Sequence, residues 1–403
     1  MTPPGALRAV TLVLTRACNL ACRYCPRDPR RDETMSSGTL HRALDVALAL
    51  AGPRLIVEFT GGEPLLAPEL LREAVAWSYP PGVPRARIAT PPRVACRLLT
   101  NGLLLDPATL DLLAEHDVAL QISCDGPRAQ DQRGPGTLAE LEHVFAEIRR
   151  RRPEYWRRRV AVSAVFTPAT VPDLAEAVAY FFSQEVPAIA IAPACGSAAS
   201  WGTAVCAELT RQLALIFELA AVHRRRTGRA PLQHLRGGAV AAAAGPAAFA
   251  CGAGRKASFV VDTDGSVHGC SYLVRARRSR LTRAALRLAA GLTYGHVADP
   301  DFAARWREPA AAASLADVLR RTERMGEGRP CVGCELDDAC SACPVAGAVP
   351  GVVPDAHCLF ARLAHRDSIR FQESGPLTDL LRAGGLRDDA LRPVASWFAS
   401  ARS

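Results

Sequence analysis

Between residues 9 and 192 six apolar runs of strand length alternate with five amphipathic segments, and this alternation restricts the fold more tightly than anything else in the chain. The runs cover residues 9–14, 55–59, 95–99, 118–122, 160–166 and 188–192. Between them, residues 39–50, 68–77, 107–116, 138–149 and 172–182 place apolar side chains three and four apart, the spacing of one helical face. Pro68, Pro107 and Pro172 open three of these segments, where a first helical turn tolerates a missing N–H. Strands alternating with helices build a parallel sheet with right-handed crossovers. Runs with so few polar residues are buried on both faces. Six units make either an open doubly wound sheet or a partial barrel, and periodicity by itself leaves both open.

A chain of 403 residues, 49% hydrophobic and 22% charged, has material for two or three domains of about 150 residues each. No apolar run reaches the roughly 18–20 residues of a membrane span. The opening Met1-Thr2-Pro3-Pro4-Gly5 lacks the basic-then-apolar order of a secretory signal. A cytoplasmic protein without a membrane partner is therefore expected. In a reducing compartment its 14 cysteines point to metal or redox chemistry rather than disulfides. The net charge of +9 is almost all arginine, with Lys256 the single lysine. Its densest run, residues 149–159, interleaves Tyr155 and Trp156 with arginines. That pattern suits either an exposed helix end before the next strand or, less readily, an acidic peptide or nucleic acid.

Beyond the alternating region, residues 205–226 read as a helix and 237–250 as an Ala/Gly/Pro-rich connector. Residues 258–270 read as a hairpin with its turn at Asp262-Thr263-Asp264-Gly265. Residues 331–358 hold too little apolar material for a core of their own, so covalent or coordinate bonds must hold them. The expected division is an α/β domain over 1–204, a helical linker over 205–250, a cysteine-rich domain over 251–360 and a helical tail over 361–403.

Cys18, Cys22 and Cys25 form C-x3-C-x2-C just after the first strand, on the face where such sheets place their active sites. Three thiolates on one loop can hold three irons of a [4Fe–4S] cluster and leave the fourth open to a substrate. Zinc is the competing reading, but structural zinc takes four protein ligands and no fourth Cys or His lies nearby in sequence.

Thr15-Arg16-Ala17-Cys18-Asn19-Leu20-Ala21-Cys22-Arg23-Tyr24-Cys25 resembles the signature of radical S-adenosylmethionine enzymes. The resemblance continues through Gly61-Gly62-Glu63-Pro64, Thr100-Asn101-Gly102 and Ser123-Cys124-Asp125-Gly126, each after the next strand in turn. It implies a partial (β/α)6 TIM-like barrel that binds S-adenosylmethionine at the cluster. Gly61, Gly62 and Pro64 would shape the backbone around it, and Glu63 would accept hydrogen bonds from its ammonium. Ser123 would reach the ribose, Tyr24 the adenine and Arg133 the methionine carboxylate. The implied chemistry is reductive cleavage to a 5′-deoxyadenosyl radical, which abstracts a hydrogen atom from carbon in a site closed to water.

Cys251, Gly265 and Cys270, followed by Cys331-x2-Cys334-x5-Cys340-x2-Cys343 and then Cys358, resemble the SPASM extension of that family. One gap is a residue short of its pattern. The resemblance implies two auxiliary [4Fe–4S] clusters, three clusters in all. Cys331, Cys334, Cys340 and Cys358 would hold the outer one; Cys251, Cys270 and Cys343 would hold the inner, which has either an open iron or a distant ligand such as Cys195 or Cys206. Cys195 is also a candidate hydrogen-atom donor or a buried thiol. Cys96 and Cys124 are expected to be packing residues.

SPASM enzymes mostly act on ribosomal peptides or proteins, so the expected function is an oxidative modification or a C–C or thioether cross-link. An electron donor such as flavodoxin or ferredoxin is implied. A leader peptide would be read by a separate protein or by the barrel mouth, with the arginine-rich segment as a contact. Alternatives are a peptide epimerase, a radical dehydrogenase of a small molecule, and a sulfatase-type formylglycine maturase. Sulfatase maturases usually carry Asp after the cysteine matching Cys270, where this chain has Ser271.

Overall fold

A computed structural model describes residues 6–25, 32–78, 92–194, 201–235, 257–271, 274, 292–307 and 354–373, with side chains 354–358, 365, 372 and 373 excepted. All six apolar runs are strands: β1 (Leu7–Thr15), β2 (Ala51–Gly61), β3 (Arg93–Thr100), β4 (Ala119–Ser123), β5 (Val160–Phe166) and β6 (Ile189–Pro193). Their connecting segments are helices α1 (Ser37–Leu50), α2 (Pro68–Ser78), α3 (Pro107–Glu115), α4 (Thr137–Arg151), α5 (Pro153–Arg159) and α6 (Leu174–Ser183). Ser36 and Asp106 cap α1 and α3 by accepting the backbone N–H three residues on. Leu40, Leu44, Leu110 and Leu113 of α1 and α3 belong to one buried apolar cluster with Leu12, Phe59, Leu98 and Ile122 of the sheet.

The six strands pair in parallel in the order β6-β5-β4-β3-β2-β1. A doubly wound sheet reverses direction at a switch point, and this order never does. Successive crossovers advancing one way give the connectivity of a barrel wall. All six carboxyl ends therefore point to one edge.

The expected hairpin is present as β7 (Ser258–Val261) and β8 (Ser266–His268), and it joins the same sheet. Strand β7 runs parallel to β1, from Ala9 opposite Ser258 to Leu12 opposite Val261. A ninth strand, β9 (Thr293–His296), pairs with β8. Helix α7 (Thr203–Thr227) packs on α6, and Phe259 packs against Phe302 and Trp306 of α8 (Phe302–Arg307). Helix α9 (Pro354–Glu373) lies against α7 and β6, where Arg224 donates to the Phe371 carbonyl. No helix among the described residues is long and apolar enough to cross a membrane.

The arginine-rich segment takes the first of its expected forms, a partly exposed helix end that runs directly into β5 at Val160. Helix α4 ends at Arg151, and Pro153 starts the separate α5. Tyr155 and Trp156 are buried, donating to the carbonyls of Val118 and Glu185 at 2.7 and 3.2 Å, so neither ring is open to a nucleic-acid base. The segment precedes β5 and thus lies at the amino edge. Its arginines pair with Asp111 and Asp117 instead of facing the mouth where a leader contact was expected.

Candidate active site at the carboxyl edge

Strand β1 ends at Thr15, and residues 16–25 leave the sheet as a loop bearing Cys18, Cys22 and Cys25, all half-buried. Its base is closed by the Thr15–Thr34 bridge and by the Arg16 N–H on the Glu33 carbonyl at 2.8 Å. Three further segments hold it, and they are the three motifs that follow β2, β3 and β4. Gly62 and Glu63 donate backbone N–H groups to the carbonyls of Thr15 and Ala17. Asn101 donates from Nδ2 to Asn19 Oδ1 at 2.7 Å. Tyr24 donates its hydroxyl to Asp125 Oδ2 at 2.5 Å, and Arg23 its N–H to the Gln132 carbonyl at 2.8 Å.

Gly61 has a structural reason beyond approach to a ligand. A Cβ there would lie 2.1 Å from the Thr15 carbonyl oxygen, so only glycine lets β2 pass β1 at this height. Pro64 opens a short 3-10 turn (Pro64–Leu66), which Glu63 caps through Leu65 N–H. Glu63 is fully buried and also accepts from Thr100 Oγ1 and from the Asn101 N–H, each at 2.7 Å. Burial pushes its carboxyl above the ordinary range, and these three donors offset only part of that rise. No cationic side chain among the described residues pairs with it. An ammonium group fits such a buried carboxylate.

Asp125 is the second polar centre of this edge. Besides Tyr24 it faces Arg133, with Nη2 at 3.0 Å from Oδ1 and Nε at 3.0 Å from Oδ2, and it accepts Val165 N–H at 2.9 Å. The Arg133 guanidinium also lies 5.5 Å from the centre of the Tyr24 ring. Burial, above all, drives the Tyr24 phenol far above its usual value, and the Asp125 charge adds to it. Arg133 is thus in the site but bound to a carboxylate of the chain itself. Ser123 ends β4, half-buried beside Ser163.

The Cys22 thiol is raised first by burial; Arg133 opposes this, and Cys25, Cys18 and Asp125 add to it. The three sulfurs therefore share one electrostatic field. Yet no three His, Cys, Asp or Glu side chains among the described residues gather around a point that one ion would occupy. A cluster needs each thiolate on its own iron, and the donor set fits that demand.

Cys96 and Cys124 are buried packing residues, and burial pushes the Cys124 thiol up to about 12. Cys206 lies in the first turn of α7 with its Sγ 3.7 Å from the Trp201 carbonyl. Cys270 is half-buried just beyond β8. Cys195, Cys251, Cys331, Cys334, Cys340 and Cys343 lie outside the described residues, as does the side chain of Cys358. Asn19, Thr100, Asn101 and Asp125 received no role from the sequence, although they stand inside the quoted motifs. A second omission was Arg16, fully buried and paired with Asp262 Oδ2 at 2.6 Å.

Residues 12–180 match the model of the Radical SAM superfamily, from within β1 into α6. This region is similar to a radical SAM domain. Among curated proteins, the chain is 26% identical over 192 residues to the uncharacterized protein MJ0907 of Methanocaldococcus jannaschii, covering 45% of this chain and 61% of that protein. It is 34% identical over 106 residues to a GTP 3′,8-cyclase of Chlorobaculum tepidum, covering 26% and 29%. It is 35% identical over 129 residues to a serine-type anaerobic sulfatase-maturating enzyme of Klebsiella aerogenes, covering 30% of each. The chain thus spans under two thirds of the length of these relatives. Among solved structures, native anSMEcpe with bound AdoMet and Cp18Cys peptide superposes with a TM-score of 0.66 at 18% identity, over 90% of this chain and 98% of that one. Streptococcus suis SuiB bound to precursor peptide SuiA gives 0.53 at 12%, over 88% and 76%. At such identities these two likenesses speak for the fold.

Proposed function

We propose that the chain is a radical S-adenosylmethionine enzyme that abstracts a hydrogen atom from a ribosomal peptide or protein, giving an oxidative modification or a C–C or thioether cross-link. One observation carries this reading: the loop with Cys18, Cys22 and Cys25 stands at the carboxyl edge, held by the three motif segments after β2, β3 and β4. Cys18, Cys22 and Cys25 would hold a [4Fe–4S] cluster, and Glu63 would receive the ammonium of S-adenosylmethionine. Bound there, the pair supplies a 5′-deoxyadenosyl radical by reductive cleavage. Tyr24, Gly61, Gly62, Pro64, Ser123 and Arg133 would line the nucleotide. Cys251, Cys270, Cys331, Cys334, Cys340, Cys343 and Cys358 would serve two auxiliary clusters, and a flavodoxin or ferredoxin would supply electrons. The peptide substrate is supported by fold neighbours whose structures hold a peptide.

A sulfatase-type formylglycine maturase is the second reading, favoured by the match to the Klebsiella enzyme and opposed by Ser271 after Cys270. The test is anaerobic: reconstituted, dithionite-reduced protein with S-adenosylmethionine should release 5′-deoxyadenosine, and Cys22→Ser should reduce release to background. Deuterium from a labelled peptide encoded beside the gene should appear in that product. Protein with no iron–sulfide absorbance and no adenosyl product would end both readings.

A further inference from the structure

Arg16 and Asp262 are 246 residues apart in sequence and in direct contact. The guanidinium donates from Nε to Asp262 Oδ1 at 3.2 Å and from Nη2 to Oδ2 at 2.6 Å, and both side chains are wholly shielded from solvent. Its remaining nitrogen, Nη1, reaches Glu33 Oε2 at 2.7 Å. Arg16 and Glu33 stand on the two legs of the cysteine loop, so one guanidinium spans the loop's base and anchors it to the β7–β8 turn. Cys18 follows two residues later.

The anchor is rigid. Asp262 donates its N–H to the Ser266 carbonyl, its own carbonyl accepts Gly265 N–H, and its Oδ1 accepts Thr263 N–H at 2.8 Å. Gly265 has φ +88°, and a Cβ there would meet the His296 ring at 2.7 Å, so the turn admits no side chain at that position. Strand β7 is itself in register with β1, which carries the loop. The contacts close a ring: β1, β7, Asp262, Arg16 and back to β1. Thr263 Oγ1 adds a bond to Glu33 Oε2 at 3.3 Å.

Buried ion pairs contribute little net stability, since apolar pairs of similar volume often replace them without loss. What such a pair does supply is a fixed arrangement. We infer that Asp262 is a positioning residue for the cysteine loop, so that the turn after β7, well beyond the region similar to a radical SAM domain, sets the placement of Cys18, Cys22 and Cys25. This rests on the cluster reading only for its chemical consequence, because the placement of the thiols can be measured without metal.

The test uses the full chain. Arg16→Met with Asp262→Leu replaces the pair by apolar residues, and Glu33→Gln weakens only the half-exposed leg, so that at least one variant folds. In the apo protein, iodoacetamide labelling of the three thiols, read by peptide mass spectrometry, should quicken about tenfold in the double variant and less in Glu33→Gln, in line with the tenfold or greater effects of disturbing groups that orient metal ligands. After reconstitution and reduction, the electron paramagnetic resonance g-values with S-adenosylmethionine should shift while the circular dichroism stays native. A folded double variant with native labelling rates and native g-values overturns the inference; should it not fold, native labelling in Glu33→Gln does so. If wild-type protein takes up no cluster, the cluster reading fails while the labelling arm still decides the role of Asp262.

Discussion

The two edges of the parallel sheet use the same residue types to opposite ends. At the carboxyl edge, Glu63, Asp125, Arg133, Arg16 and Asp262 are buried charges, each tied by several hydrogen bonds to a loop or turn. At the amino edge, Arg151, Arg152, Arg158 and Arg159 face Asp111 and Asp117 as partly exposed pairs. A cavity of about 480 Å³ lies at this amino edge between Arg149, Trp156, His223 and Arg229, remote from every described cysteine of the loop. Charge at the amino edge is screened by water and costs little to hold. At the carboxyl edge it is costly to hold, which is tolerable only where geometry must be fixed.

That contrast is broken most directly by matched substitutions of one carboxylate at each edge. Asp125→Asn should weaken the hold on Tyr24 and strand the buried Arg133, costing about 3 kcal/mol of stability and about 10- to 100-fold in 5′-deoxyadenosine release. Asp117→Asn should leave both unchanged, since its arginine partners stay hydrated. Thermal denaturation and product assays on the pair decide it, and equal effects would dissolve the distinction.

A half-buried histidine sharpens the comparison at intermediate size. His234, beside Phe360 at the β6 edge, is half-buried, its shielded Nδ1 has no hydrogen-bond partner among the described residues, and desolvation lowers its pKa to about 4. An unfolded histidine takes its proton near 6.5, so between that pH and about 4 the unfolded chain binds more protons than the folded one. Stability contributed by this site is therefore complete above pH 6.5 and falls as pH drops toward 4, by up to about 3 kcal/mol. His234→Gln should flatten that part of the stability curve in urea titrations at stepped pH. The smallest effect belongs to Arg158→Ala at the amino edge, which should alter neither melting nor turnover of a peptide substrate. A clear loss of turnover would return the arginine-rich segment to a role in substrate contact.

Much of the site was legible because its parts are local. Cys18, Cys22 and Cys25 share one loop, and Gly61 to Pro64, Thr100 to Gly102 and Ser123 to Gly126 each follow a strand. Their mutual contacts were not legible. Asn19 meeting Asn101, and Tyr24 meeting Asp125, are pairings between loops that only neighbouring strands bring together. The burial of Tyr155 and Trp156 was not legible either, because a run dominated by arginine hides the helix break at Pro153 and the contacts of the two rings.

Local spacing by itself determined the six parallel strands, five of the helices between them, the cysteine tripod and the edge on which it stands, because hydrophobic period and chain direction are properties of contiguous residues. Tertiary structure alone decided that the strand order runs one way without a switch point, that β7 flanks β1, and that Asp262 meets Arg16. Those are choices of partner among distant segments. They are settled by which burial and which register the whole chain satisfies together, and no short stretch of residues contains that information.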